Sequence, residues 1–220
     1  MDLPLKRETK DYSPEIIYSD SDIVVCVKPA GVLAEDSPGG ACVSLPAALR
    51  CALKTAEIYT VHRLDAGTRG LMVYARTKKA AAGLSAAIQD GLFVKEYEAL
   101  VHGNPGCDEG GRELRDFLLK DSAKNKVYVV KSLRKGVREA RLVYNIKEER
   151  GGLTLVRVRL ITGRTHQIRV QFASRGFPLV GDRKYGAKDD AKNIALCAAA
   201  VTFPHPLTGE QMRFEIASEL

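Results

Sequence analysis

Apolar and polar residues follow one another along this chain in two rhythms, and the switches between them mark out its elements. Asp22–Lys28 is a β-branched run too short for a helix and stopped by Pro29-Ala30-Gly31, which predicts a buried strand entering a turn. Ser37-Pro38-Gly39-Gly40 reads as a loop. After Ser44, with Pro46 in the first turn, Leu45, Leu49, Ala52, Leu53 and Ala56 fall at helical spacing, and that helix should end before Tyr59. Leu71–Ala75 is a second buried strand. Thr77 then caps a helix over 78–90 whose Ala80, Leu84, Ala87 and Ile88 share one face, with Asp90-Gly91 ending it. From Phe93 to Val101 the alternation puts Lys95, Tyr97 and Ala99 on the same face of a strand. Val127–Val130, Ala140–Lys147 and Leu153–Ile161 predict an antiparallel meander, the last two strands joined in a hairpin at Arg150-Gly151-Gly152. Thr162-Gly163-Arg164-Thr165 opens a helix over 165–175 that Gly176 closes, with Ile168 and Phe172 as its buried contacts and Arg169 on its second turn. A turn-rich stretch at 178–186 precedes a final hairpin with strands near 194–203 and 210–216. Many strands with three helices predict an α+β fold built on a mixed, mostly antiparallel sheet flanked by a few helices and loops.

At 220 residues with 45% apolar content, the chain is long enough for one sizeable core, and a single domain over 1–220 is expected, with 1–13 as a loosely held lead-in. No window is apolar enough to span a membrane and the N-terminus lacks an apolar signal core, so a cytoplasmic protein without membrane contact is expected. The cysteines at 26, 42, 51, 107 and 197 form an odd set with no C-x-x-C, which argues for reduced thiols and against a disulfide framework or zinc site. The four histidines show no metal-ligand spacing, and neither a phosphate-binding Walker loop nor a nucleophile elbow is present, so no metal or cofactor is expected.

The charge is +7 overall and concentrated. Residues 120–141 carry eight basic side chains against two acidic, and 157–184 carry seven against one. Such concentration suits a polyanion, although it also describes an ordinary solvated surface.

The candidate chemistry lies in His62-Arg63-Leu64-Asp65-Ala66-Gly67-Thr68-Arg69-Gly70, a glycine-punctuated loop between apolar segments. By itself, Asp65 beside Arg63 reads more readily as a structural salt bridge or a loop-capping aspartate than as a catalyst. Yet His62-Arg63-Leu64-Asp65 with Thr68 and Gly70 resembles the catalytic loop of the RluA family of pseudouridine synthases, and other motifs fall in the family's order. These are Lys28-Pro29-Ala30-Gly31, the strand Lys95-x-Tyr97-x-Ala99-x-Val101-x-Gly103, and Thr162-Gly163-Arg164-Thr165-His166-Gln167-Ile168-Arg169. Gly181-Asp182 with Tyr185-Gly186, and Phe203-Pro204-His205-Pro206-Leu207-Thr208-Gly209-Glu210, complete the set. The similarity runs over about 22–216. Arg69, Gln171 and Cys197 depart from the usual residues, serine at the first position and histidine at the other two. The small N-terminal RNA-binding domain of some members is not seen.

The resemblance implies the pseudouridine synthase fold, with its cleft across the sheet, and an isomerase that detaches uracil from a uridine of tRNA or ribosomal RNA, turns it and rejoins it through carbon 5. Asp65 is the implied catalytic carboxylate, attacking covalently or assisting elimination at the sugar. Arg169 is the implied counter-charge, and a guanidinium 4 Å from a carboxylate is worth up to about 4 kcal/mol at an effective dielectric of about 20. Tyr97 is implied to stack on the uracil. The uridine must leave its stack, and Arg63 is implied to fill the space it vacates. Arg69, Arg164, Lys124, Lys126, Arg134 and Lys135 are expected to contact phosphates. A monomer without an obligate protein partner is expected. The rival readings are an inactive RNA-binding or RNA-chaperone protein on the same fold, and a small-molecule enzyme with an unrelated Asp–Arg site, for which the concentrated charge is superfluous.

Overall fold

The computed structural model describes residues 12–37, 43–107 and 109–220; residues 38–40 of the expected loop at 37–40, Cys42 and nearly all of the expected lead-in lie outside them. The chain clusters into two compact units. One comprises Glu96–Cys197 with Glu219–Leu220, and the other the described residues up to Lys95 with Ala198–Ser218.

The latter unit contains β1 (Glu15–Ser19), β2 (Ile23–Lys28), α1 (Leu45–Ala52), β3 (Tyr59–Thr60), β4 (Arg69–Ala75) and α2 (Lys78–Gln89). Most of β10 (Leu196–Pro204) and all of β11 (Gln211–Glu215) belong to it as well. Its strands run β1-β2-β4-β10, with β3 added to β4 and β11 to β10. β2 is buried at every position because it is a central strand, paired antiparallel with β4 so that Val25 faces Val73 and Val27 faces Leu71. The expected Thr77 cap forms, its Oγ1 accepting the Ala80 N–H at 3.1 Å, and Ser44 caps α1, its Oγ accepting the Ala47 N–H at 3.2 Å. Ala80, Leu84 and Ala87 of α2 pack on Ile23, Val25, Leu71 and Val73, with Phe93 stacked on Phe203 at 5.2 Å.

The other unit holds the remainder of β5 (Val94–His102), then β6 (Arg112–Asp121), β7 (Lys126–Val130), β8 (Val137–Arg150), β9 (Leu153–Leu160) and α3 (Gln167–Ala173). Its strand order is β5-β9-β8-β6-β7, and the β6–β7, β6–β8 and β8–β9 pairs are antiparallel. Leu118, Val127, Ala140 and Val170 form a core cluster against Tyr185, while Tyr144 meets Phe172 edge-on at 5.0 Å. Among the described residues, open and mostly antiparallel strand pairing with three α-helices makes the chain α+β, as the sequence pattern predicts.

Two differences from that pattern have clear causes. β6 is not among the elements it predicts, because Leu114 and Leu118 are the buried hydrophobic residues of its ten, and they are spaced as on a helix turn. Cross-strand ion pairs to β8, Arg115 with Glu139 and Glu113 with Arg141, occupy its charged positions instead. α3 starts at Gln167, two residues later than expected, because His166 sits in the left-handed region at φ 51°. The preceding turn is closed by the Gln167 side chain, whose Oε1 accepts the Thr162 hydroxyl and the Arg164 N–H. Arg169 therefore lies on the first turn, and every side chain from Gln167 to Phe172 is buried.

Candidate active site

Asp65 lies half-buried in the loop between β3 and β4, and the loop is held at the next residue. The Ala66 carbonyl accepts the Gly31 N–H at 2.8 Å and Lys28 Nζ at 3.1 Å. The Thr68 N–H closes a turn onto the Asp65 carbonyl at 3.0 Å. Lys28 is fully buried and its three ammonium protons match three carbonyls, those of Pro29, Val32 and Ala66. Burial pushes its pKa down to about 7, and the Asp65 charge opposes that shift. A lysine that ends an otherwise apolar strand is the sequence signal for this anchor, and sequence reasoning gave Lys28 no role. At the loop's start, His62 Nε2 accepts the Val73 N–H at 3.0 Å. Burial, reinforced by the Lys95 charge, holds the His62 pKa down to about 3. The ring is therefore neutral with its hydrogen on Nδ1, which is buried without a protein partner. At the loop's end, Gly70 has φ 134°, and a Cβ there would come within 2.4 Å of the Ala198 backbone, so only glycine lets the chain pass β10.

Arg63 is exposed and pairs with Glu35 at 3.0 Å, so the alternative Arg63–Asp65 reading gives way to a pair with a different acid. Arg69 reaches the Ala217 carbonyl at 3.4 Å.

In the other unit, Tyr97 is buried on β5 between Glu96 and Glu98. Arg157 binds both glutamates, at 2.8 and 3.0 Å, and Lys147 binds Glu98 at 2.6 Å. This network clamps the strand on either side of the tyrosine. Arg169 is 5% exposed and forms a two-point pair with Asp182, itself 1% exposed, through Nε at 2.7 Å and Nη2 at 2.8 Å. The Tyr185 ring lies 5.1 Å from its guanidinium carbon. Asp182, to which sequence reasoning assigned no role, is thus a direct partner of the implied catalytic arginine.

The two basic concentrations separate. In the second, Arg157, Arg169 and Arg175 are bound to Glu96 and Glu98, to Asp182 and to Asp116, so much of its charge is neutralised within the protein. In the first, Lys124, Arg134 and Lys135 are exposed, while Lys126 lies over the rings of Tyr128 and Tyr185. Arg164 is exposed, its Nε donating to the Glu139 carbonyl at 2.9 Å. The departures are accommodated locally: Gln171 donates to Asp116 and to the Ala140 carbonyl, and Cys197 is buried in β10.

Asp20, Asp22 and His205 gather closely enough to resemble a metal site in composition. Their contacts account for the cluster otherwise. Asp20 accepts the backbone N–H groups of Asp22 and Ile23 and the Tyr18 hydroxyl, and it faces His205 Nε2 at 3.2 Å.

The architecture is shared with the human RNA pseudouridylate synthase domain containing 1 protein: TM-score 0.77 at 22% identity, over 93% of this chain and 83% of that one. Residues 22–174 match the family model described as RNA pseudouridylate synthase. Ribosomal large subunit pseudouridine synthase D of Zymomonas mobilis is 33% identical, over 98% of this chain and 74% of that protein. The protein of the same name from Vibrio cholerae is 34% identical, over 94% and 68%. The chain belongs to the RNA pseudouridylate synthases, in their RluA branch. It is an isomerase acting on RNA.

Proposed function

We propose that this enzyme converts uridines of large-subunit ribosomal RNA to pseudouridine with Asp65 as its catalytic carboxylate. The observation that carries the assignment is the loop around Asp65. Its backbone is fixed one residue away by a buried lysine and a glycine N–H, as a group that must meet a sugar carbon reproducibly requires. The names of the relatives supply the RNA class. Tyr97 is assigned to the uracil and Arg169 to the support of the catalytic carboxylate. Arg63 exchanges Glu35 for the gap that the flipped uridine leaves. Arg69, Arg164, Lys124, Lys126, Arg134 and Lys135 follow the phosphates. The chain works as one catalytic domain and as a monomer in the cytoplasm.

The test is tritium release from transcripts labelled at uridine carbon 5, one of large-subunit ribosomal RNA and one of pooled tRNA. Release is expected from the ribosomal transcript, and Asp65→Asn should lower it by about 10⁴-fold or more. Undiminished release by that variant would remove Asp65 from the chemistry, and release from tRNA alone would reassign the substrate.

A further inference from the structure

We infer that Asp182 is a positioning residue, setting the plane of the Arg169 guanidinium for the isomerisation. The inference rests on the proposed catalytic part of Arg169. Two parallel bonds, from Nε and Nη2, fix both the direction and the rotation of the guanidinium, which a single contact would leave free to swing. Tyr185 limits the remaining tilt with its ring. Its hydroxyl is in turn bound to the Val127 N–H and to His166 Nδ1, each at 2.9 Å.

The backbone beneath Asp182 is built to hold it still. Gly181 has φ 76°, and a Cβ on it would stand 2.1 Å from the Asn193 carbonyl oxygen, so no other residue fits. The Gly181 N–H is held by the Asp189 carboxylate at 3.0 and 3.1 Å, and Asp189 also bonds His102 Nε2 at 2.7 Å and the Ala191 N–H at 2.9 Å. The Asp182 N–H reaches the Leu179 carbonyl at 3.0 Å. The Gly181-Asp182 and Tyr185 motifs thus meet at one guanidinium. If Asp182 only neutralised a buried charge, any carboxylate of similar reach would serve; if it positions, one added methylene should be felt in turnover.

The experiment uses the full chain and the ribosomal transcript, reading kcat by tritium release, Kd for the transcript by filter binding, and the melting temperature. Asp182→Glu keeps the charge and displaces the carboxylate; kcat should fall about 10- to 100-fold, with Kd changed less than about twofold and the fold retained. Asp182→Asn should lower kcat similarly, yet make no further difference in an Arg169→Met background, because the two act through one another. Wild-type kcat in Asp182→Glu, or losses that multiply in the double variant, would overturn the inference. If Asp182→Asn does not fold, the Asp182→Glu comparison decides alone. Should Asp65→Asn and Arg169→Met both remain active, the proposed mechanism would fail instead. Their inactivity beside fully active Asp182 variants would sink this inference only.

Discussion

Lys28 and His62 serve the same loop, the lysine as a hydrogen-bond donor and the histidine as an acceptor through Nε2. The lysine donates each of its protons to a carbonyl, one of them Ala66, so Lys28→Met should leave buried acceptors unsatisfied. A drop of about 3 kcal/mol in urea unfolding is expected, of the order that unpaired buried polar groups cost. A variant as stable as wild type would show that the carbonyls find other partners. His62 is held neutral, with its pKa lowered from 6.5 to about 3. Between those values the unfolded chain binds a proton that the folded protein refuses, so His62 makes stability fall as the pH drops from 6.5 towards 3. Its contribution is at most about 1.4 kcal/mol per pH unit. Urea midpoints measured over that window should fall less steeply for His62→Gln, and superimposable slopes would refute the assignment. The His62-Arg63-Leu64-Asp65 signature is legible in the sequence as the loop motif of the family, and the catalytic part of Asp65 rests on the proposal above. What was not legible is that His62 supports the backbone and Lys28 anchors it, because both depend on partners that only folding brings near.

Among the elements, the stretch from β6 to the start of β8 differs most in its chemistry from the other arginine-rich segment. Lys124, Arg134 and Lys135 are exposed, whereas Arg157 and Arg175 are tied to acids inside their own unit. Replacing each of the first three by alanine should flatten the slope of log affinity against log salt by about 0.7 to 0.9 for every phosphate that is no longer neutralised. Arg157→Ala should instead lower stability, by stranding Glu96 and Glu98 beside Tyr97, and leave the slope unchanged. Titrations of the transcript at several salt concentrations separate the outcomes. Equal slopes in all four variants would mean that this stretch does not carry the RNA. Charge counting along the chain could not distinguish the two segments, since both are equally basic and only pairing divides them.

For the protein as a cellular component, the expected consequence is one or more pseudouridines missing from large-subunit ribosomal RNA when it is deleted. Mapping that RNA from cells with and without the gene checks this, and an unchanged map would exclude the proposed substrate. Hydrophobic rhythm alone was enough to determine the buried strands β2 and β4, the capped helices α1 and α2, the β8–β9 hairpin and the α+β class, because burial and capping act over neighbouring residues. The ordered motifs make the family legible and are the ground for proposing Asp65, Tyr97 and Arg169, since a reaction restricts residue type more severely than packing does. Tertiary structure alone decided that Asp182 holds Arg169, that Glu35 holds Arg63, and that much of the charge in the second basic segment is neutralised internally. An ion pair forms wherever the folded backbone brings opposite charges within a few ångströms, and no local pattern in the chain records that distance.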